Sequence, residues 1–411
     1  MSIVIAVPAI WFFVKARTDE AAFQKQLSLA RKEGLPTTAE EFIATLPKVA
    51  PEDNAAPYYR QLRGKLGNTS EWAALMQGLM YGDTHAVSIR RAKEELTNRE
   101  EALTLIAEAI RRPKCSFDRD WKLGLAVLLP EFADMKSAAR VLLLRGAMAA
   151  VTGRANDAIA DIRNMLKVAN HCKDGSTAIP ELVGESIELI AMRALADWSY
   201  KYRLPLYSQE LKRVLKQRHK PEPKRESRDI LFSTLILLEQ VSTTEGRQSL
   251  GISSQDEEVN RVERLFGFIL DKGSAKVKLV ESIREGWKAL DAPIDQRRYR
   301  VRQASYNTSM ALLAFPMAGR VSDALGYGDE NVPCRVELWK CHQLFYQGAL
   351  RALSEKVIPK AIRTDDLLSP FDGKPLIYRF DGRQIVIQVS TPKEIEFVPN
   401  VFKLPSDTSL K

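Results

Sequence analysis

From Thr18 to about Ile358 the apolar residues recur at spacings of three and four with no sustained alternation, so nearly all of the chain is written in helical code. Glycine and proline cut that code into lengths. Asp19 to Glu33 keeps Ala22, Phe23, Leu27 and Ala30 near one face and is followed by Gly34 and Pro36, a predicted helix end. Thr37 and Thr38 stand three residues before Glu40 and Glu41, the spacing of a capping box, and the helix they open stops before Pro47. Asp53 or Asn54 caps a further short helix bearing Pro57, Tyr58, Tyr59 and Leu62.

The stretch from Ala86 to Arg112 is highly charged and carries one apolar stripe, Val87, Ile89, Ala92, Leu96, Leu103, Ile106 and Ile110. Met135 to Val151 has few charges and is the predicted central helix, with Ala139, Gly146 and Ala150 allowing a neighbouring backbone to come close. Gly146, Gly153, Ala158 and Ile162 fall at the offsets of a tetratricopeptide-like (TPR-like) helical hairpin: a small residue in the first helix, a glycine at the turn, a small residue at the crossing. No clean second copy follows at a period of about 34 residues, which predicts an irregular hairpin array and not a regular solenoid. Further helices are expected over 230–241, 259–270, 275–290 and 336–353, with loops over 243–256 and 319–333.

After Pro359 the code changes. Ser369 to Pro375 is turn chemistry, and Asp381-Gly382 separates the β-rich runs 376–380 and 385–389, a hairpin signal; 395–398 is a candidate third strand. The expected fold is therefore mainly α, an irregular TPR-like array closed by a small C-terminal β-hairpin module. Its divisions are 1–15 as an anchor, 16–358 as the helical body and 359–411 as the β-module and tail.

Residues Ile3 to Val14 read IVIAVPAIWFFV, twelve apolar positions followed at once by Lys15 and Arg17. A bilayer span takes about 20 apolar residues, so the run is short for one. A cleaved signal normally carries a basic residue ahead of its apolar run, and none is present here. A core helix is seldom apolar on every side. A shortened membrane anchor, with membrane contact through residues 1–14, is the leading reading; a docked core segment and a signal remnant are the alternatives.

The 411 residues hold 61 Lys+Arg against 52 Asp+Glu, a net charge of +9, and 45% apolar residues, which excludes a disordered or collagen-like chain and a multi-span membrane protein. Cys115, Cys172, Cys334 and Cys341 form no CxxC, and His85, His171, His219 and His342 form no HExxH, so the cysteines read as small buried apolar residues and no metal site or other cofactor is expected. Glu181, Glu185 and Glu188 share one helical face, but no Glu-x-x-His partners them, and a solvated acidic face is the simpler reading. Asp365, Asp366 and Asp372 flank a turn at spacings unlike a calcium loop. No Walker, dinucleotide or GxSxG pattern occurs, and no catalytic or cofactor-binding residue is nominated.

Two basic stretches stand out. Between Lys212 and Arg228 lie Lys212, Arg213, Lys216, Arg218, Lys220, Lys224, Arg225 and Arg228, with Pro221 and Pro223 forbidding one continuous helix; 296–302 is the second. Without interleaved aromatic residues the first reads as a solvated connection, and nucleic acid is an unfavoured partner.

The 31–56 arm with Gly34-Leu35-Pro36 and Asp53-Asn54-Ala55-Ala56, the stretch from Leu129-Pro130 through Gly153 to Leu182-Val183-Gly184-Glu185, and Ser369-Pro370-Phe371-Asp372-Gly373-Lys374-Pro375-Leu376-Ile377-Tyr378 together resemble an uncharacterised bacterial family of single-anchor membrane proteins with a TPR-like helical body and a short C-terminal β-module. The resemblance implies a body outside the cytoplasm, in the cell envelope, and assigns no catalytic residues. The chain departs from the family pattern in lacking a Gly-Tyr-Pro turn before the β-module and a Ser-x-Gly-x-Asp-Gly ending after Val389. The functional expectation is a membrane-tethered, non-enzymatic scaffold that binds a protein or peptide; the alternative is an envelope hydrolase whose carboxylates meet only in three dimensions.

Overall fold

Gly34 stands at φ +82°, and Leu35 N–H donates to Ala30 O at 3.0 Å across it, so the first helix ends in the six-to-one closure that a left-handed glycine permits. That helix begins at Ser2. In the computed structural model of the chain, which describes residues 2–67, 75, 79, 86–126, 129–175, 177–202, 213–220, 222–242, 272–312, 335–353, 360–380, 384–391 and 401–403, the described residues are mainly helical with a small antiparallel sheet. The elements in chain order are α1 (Ser2–Lys32), α2 (Ala39–Thr45), α3 (Ala56–Arg60), α4 (Ala86–Thr97), α5 (Glu100–Arg111), α6 (Pro130–Val151), α7 (Ala155–Lys173) and α8 (Ala178–Lys201). They continue with α9 (Pro223–Glu226), α10 (Ile230–Ser242), α11 (Lys272–Ala289), α12 (Ile294–Leu312), α13 (Arg335–Leu353) and the strands β1 (Ile377–Phe380), β2 (Gln384–Gln388) and β3 (Val401–Lys403).

The apolar run Ile3–Val14 is not a separate element; it forms the first turns of α1, continuous with the amphipathic part expected over 19–33. Among the described residues no helix is long and apolar enough to cross a membrane. The expected helix 259–270, the loops 243–256 and 319–333, the Asp381-Gly382 turn, the strand 395–398, and His85 and Cys334 lie outside the described residues.

The chain divides into two compact units, each assembled from three separate stretches: Met1–Leu46 with Arg119–Leu128 and Pro223–Cys334, and Pro47–Asp118 with Leu129–Glu222 and Arg335–Lys411. In the first unit α1 packs along α11, and α11 packs on α12. Leu27, Ala30, Leu231, Leu279, Val280 and Ile283 make its core. Glu33, at the end of α1, is held by Arg284, with Arg284 Nε donating at 2.9 Å, while Trp287 Nε1 donates to Glu33 O at 3.1 Å. The capping box is present: Thr38 Oγ1 accepts from Glu41 N at 3.2 Å, and Glu41 Oε2 reaches back to Thr37 N at 2.7 Å. Behind it Phe42 meets Trp121 edge-on, ring centres 5.0 Å apart, and Phe232 at 4.8 Å.

In the second unit α6, α7 and α8 pack on one another in succession, and α13 packs on α8 and on the sheet. Gly153, φ +75°, turns α6 into α7 as its spacing predicts. Gly146 lets Trp198 of α8 lie against α6, since a Cβ there would stand 2.7 Å from Trp198 Cη2. Arg145 spans the hairpin to grip Asp161 through Nε at 3.0 Å and Nη2 at 2.5 Å. The hairpin is thus present; a regular TPR succession is not established by it. Neither Asp53 nor Asn54 is the cap of α3, whose cap position falls on Ala55 with no side-chain cap bond; Asn54 instead closes the turn leading into the helix, its Oδ1 accepting from Ala56 N at 3.1 Å while its Nδ2 donates to Ser116 O at 2.8 Å.

β1 and β2 pair antiparallel from Ile377 opposite Gln388 to Phe380 opposite Ile385, and β3 adds to β2 with Val386 opposite Val401. Alternation puts Ile385 and Ile387 inward, where Ile387 meets the space left by Gly348 on α13. The turn before the sheet closes through Ser369 N to Lys374 O at 2.8 Å, with Gly373 at φ +69°.

Candidate functional site

Four charged side chains meet inside the second unit. Lys173 closes α7, Glu181 and Glu188 stand two turns apart on α8, and Arg218 follows the helical turn at 213–216. Their side chains are between 0% and 2% exposed. Lys173 Nζ donates to Glu188 Oε1 at 2.9 Å and to His219 O at 3.1 Å, and lies 3.5 Å from Glu181 Oε1. Arg218 Nε donates to Glu188 Oε2 at 3.3 Å, and its guanidinium carbon lies 5.2 Å from the centre of the Trp339 ring. Two cations and two anions balance, which is the condition on which ions persist out of water, since each ion alone loses several kcal/mol of hydration.

The backbone is arranged to allow this. Gly184 lies between the two glutamates on the same face, and a Cβ there would stand 2.7 Å from both Ala169 O and Lys173 Cγ, so α7 and α8 approach closely where the lysine passes. Asn170 Nδ2 donates to Gln217 O at 2.6 Å and, with the Lys173 bond to His219 O, ties the 213–220 segment down on the end of α7.

Glu181 and Glu188 therefore do not form the solvated acidic face expected of them; only Glu185 of the three is partly exposed. Arg218 likewise leaves the solvated basic connection and enters the core. The sequence held a signal for the first: Glu181, Gly184, Glu188, Ala191 and Leu195 share one stripe, so the glutamates continue an otherwise buried face. Lys173 shows the same, four residues after buried Ala169 and seven after buried Leu166. Nothing local marks Arg218.

The remaining candidates separate. His171 is neutral and satisfied, with Nδ1 2.9 Å from Tyr59 Oη and Nε2 3.0 Å from Arg112 O. Burial, with Lys167 nearby, takes its pKa down to about 3. Cys115, Cys172 and Cys341 are buried, as expected of small apolar residues; burial raises the Cys172 thiol and lifts Cys341 to about 12. Asp366 is clasped by Arg351 through two bonds of 2.9 Å, and that pairing lowers it to about 2. Asp372 accepts from Ser390 Oγ at 2.7 Å and Lys374 N at 3.1 Å, which is turn closure, while Asp365 faces Arg363 at 3.7 Å. Among the described residues no three His, Cys, Asp or Glu side chains gather to hold a metal ion.

The cluster can fix the junction of three segments. As arranged, both oxygens of Glu188 face cations, Oε1 toward Lys173 and Oε2 toward Arg218, and Glu181 Oε1 lies 3.5 Å from Lys173 Nζ. No family model, no curated protein and no solved structure matches the chain.

Proposed function

We propose that the chain is a non-enzymatic helical scaffold that binds a protein or peptide partner and is tethered to a bacterial envelope membrane through Ile3–Val14. The observation that carries the partner-binding half is on α8. This helix buries Ile187, Ala191, Leu195 and Trp198 on one face, yet presents Ile179 and Leu182, 51% and 54% exposed, one turn apart on another. Long apolar side chains set at helical spacing on a rigid hairpin are the kind of anchor an amphipathic partner uses. The close stacking of α6, α7 and α8 around the Gly153 turn supports reading the array as TPR-like.

Support for the tether is the all-round apolar character of the first turns of α1 and the abrupt change to Lys15 and Arg17. Two measurements test the proposal. A photo-crosslinker at position 182 in living cells is expected to trap one discrete adduct that a crosslinker at exposed Arg154 does not; equal trapping at both positions removes the binding surface. After alkaline carbonate extraction the chain is expected in the membrane pellet, and release into the supernatant removes the tether.

A further inference from the structure

α12 packs through its small residues and shows its large ones to water. On its inner line Ala304, Thr308 and Ala311 are buried. A Cβ on Gly286 of α11 would stand 3.3 Å from Ala304 Cβ, and Thr308 Oγ1 shares a hydrogen bond of 2.9 Å with Ser282 Oγ of α11. Small side chains at that contact let the two backbones come close. On the opposite side Tyr299, Gln303, Tyr306 and Met310 follow one another at helical spacing, a single line about 16 Å long. Tyr299 is 72% exposed, Tyr306 60% and Met310 49%. Exposed apolar residues scattered singly are ordinary, but three large ones aligned on one helix mark a surface that meets something. Gln303 Nε2 donates to Asn307 Oδ1 at 3.1 Å, which steadies the middle of the line.

The second basic stretch lies on the same helix. Between Gln296 and Leu312 the sequence carries four arginines and no Asp, Glu or Lys. Arg300 and Arg302, both exposed, flank the line on its two sides. Tyr, Met and Arg are the residue types enriched at protein interfaces, where Lys, Glu and Asp are depleted. We propose that the outer face of α12 docks an acidic helical segment of a partner protein, whose apolar side chains settle among Tyr299, Tyr306 and Met310 and whose carboxylates face Arg300 and Arg302. An amphipathic helix of three turns matches the length of the line. Tyr299 and Tyr306 stand about 10 Å apart along the axis, too far to stack successive bases of a nucleic acid strand. Gln303 and Asn307 break the apolar line that a lipid surface would need continuous. The surface is separate from Ile179 and Leu182 on α8, so each reading stands or fails without the other.

The test places a photo-crosslinker at position 306 of the full chain in living cells, with exposed Lys32 as the control position. Irradiation is expected to give one discrete protein adduct at 306 that is absent at 32, and mass spectrometry of the joined peptide is expected to find a segment with more Asp and Glu than Lys and Arg. That segment, made as a synthetic peptide, is expected to bind the purified chain with an affinity that falls as salt rises. Binding is expected about tenfold weaker in Arg300→Glu, through charge repulsion, and in Tyr299→Ser, through loss of an aromatic anchor. Both side chains are exposed, so circular dichroism is expected to show the fold unchanged, and the salt dependence reads the charge without any variant. No adduct at 306, an adduct shared with position 32, a lipid or nucleic-acid adduct, a segment without excess acid, salt-independent binding, or affinity unchanged in either variant overturns the proposal.

Discussion

The ammonium of Lys173 lies 2.9 Å from a carboxylate oxygen of Glu188, and neither side chain is more than 1% exposed. An ion pair so enclosed contributes little net stability when whole but leaves an uncompensated charge when halved. Lys173→Met is expected to cost about 3–5 kcal/mol in chemical denaturation. Pairing it with Glu181→Leu leaves Arg218 and Glu188 matched and is expected to recover much of that loss. If the double variant is no better than the single, the charge-balance account fails.

Helical glycine replaced by alanine ordinarily gains roughly 1 kcal/mol of helix propensity. At Gly146 and Gly184 the sign is expected to reverse, because the new methyl would stand 2.7 Å from Trp198 Cη2 in one case and from the Ala169 carbonyl in the other. Overpacking of this kind costs about 1–3 kcal/mol, and Gly184→Ala is the stricter test since a backbone atom is in the way. Thermal unfolding of both variants at or above the wild-type midpoint would refute the close crossings.

His171 carries a folded-state pKa of about 3, against about 6.5 when unfolded. Above pH 6.5 it is neutral in both states and its contacts contribute fully. As pH falls from there toward 3 the unfolded chain takes up a proton that the fold refuses, so stability declines. Asp197, raised to about 6 by burial, works the other way, losing its contribution as pH rises through that value. Comparing wild type with His171→Gln cancels the aspartate. The stability gap between them is expected to narrow by about 2 kcal/mol from pH 7.5 to pH 5, measured by urea denaturation; a constant gap would show that His171 is not shielded from protons.

Thr38 accepts from Glu41 N and Glu41 returns the bond to Thr37 N, so Thr38→Ala is expected to destabilise by about 1 kcal/mol. Amide exchange at Glu41 should rise with it, and unaltered exchange there would place the cap elsewhere.

Local chemistry was readable wherever one residue type determines a backbone state. Gly34 and Gly153 end and turn helices, Thr38 opens one, and Ser369 to Pro375 forms a turn, all as the sequence predicts. The hairpin of β1 and β2 was legible for the same reason, whereas Val401–Lys403, which pairs with β2, was not nominated, because a three-residue edge strand is specified by its partner more than by itself. Periodicity gave the faces of α7 and α8 but not what lies across them. Lys173, Glu188 and Arg218 are 15 and 30 residues apart in sequence, and a charge on an apolar stripe reads as solvated until its counter-charge is located. The early start of α1 was hidden by composition: the pattern changes at Lys15, but the backbone conformation does not.

Because α1 finds its packing partner in α11, which begins 240 residues after α1 ends, the two cannot meet early in synthesis. At ribosomal speeds of roughly 5–20 residues per second the opening helix waits on the order of 10–50 s before α11 emerges. For that interval Phe23, Leu27 and Ala30 lack the α11 face that covers them in the folded chain.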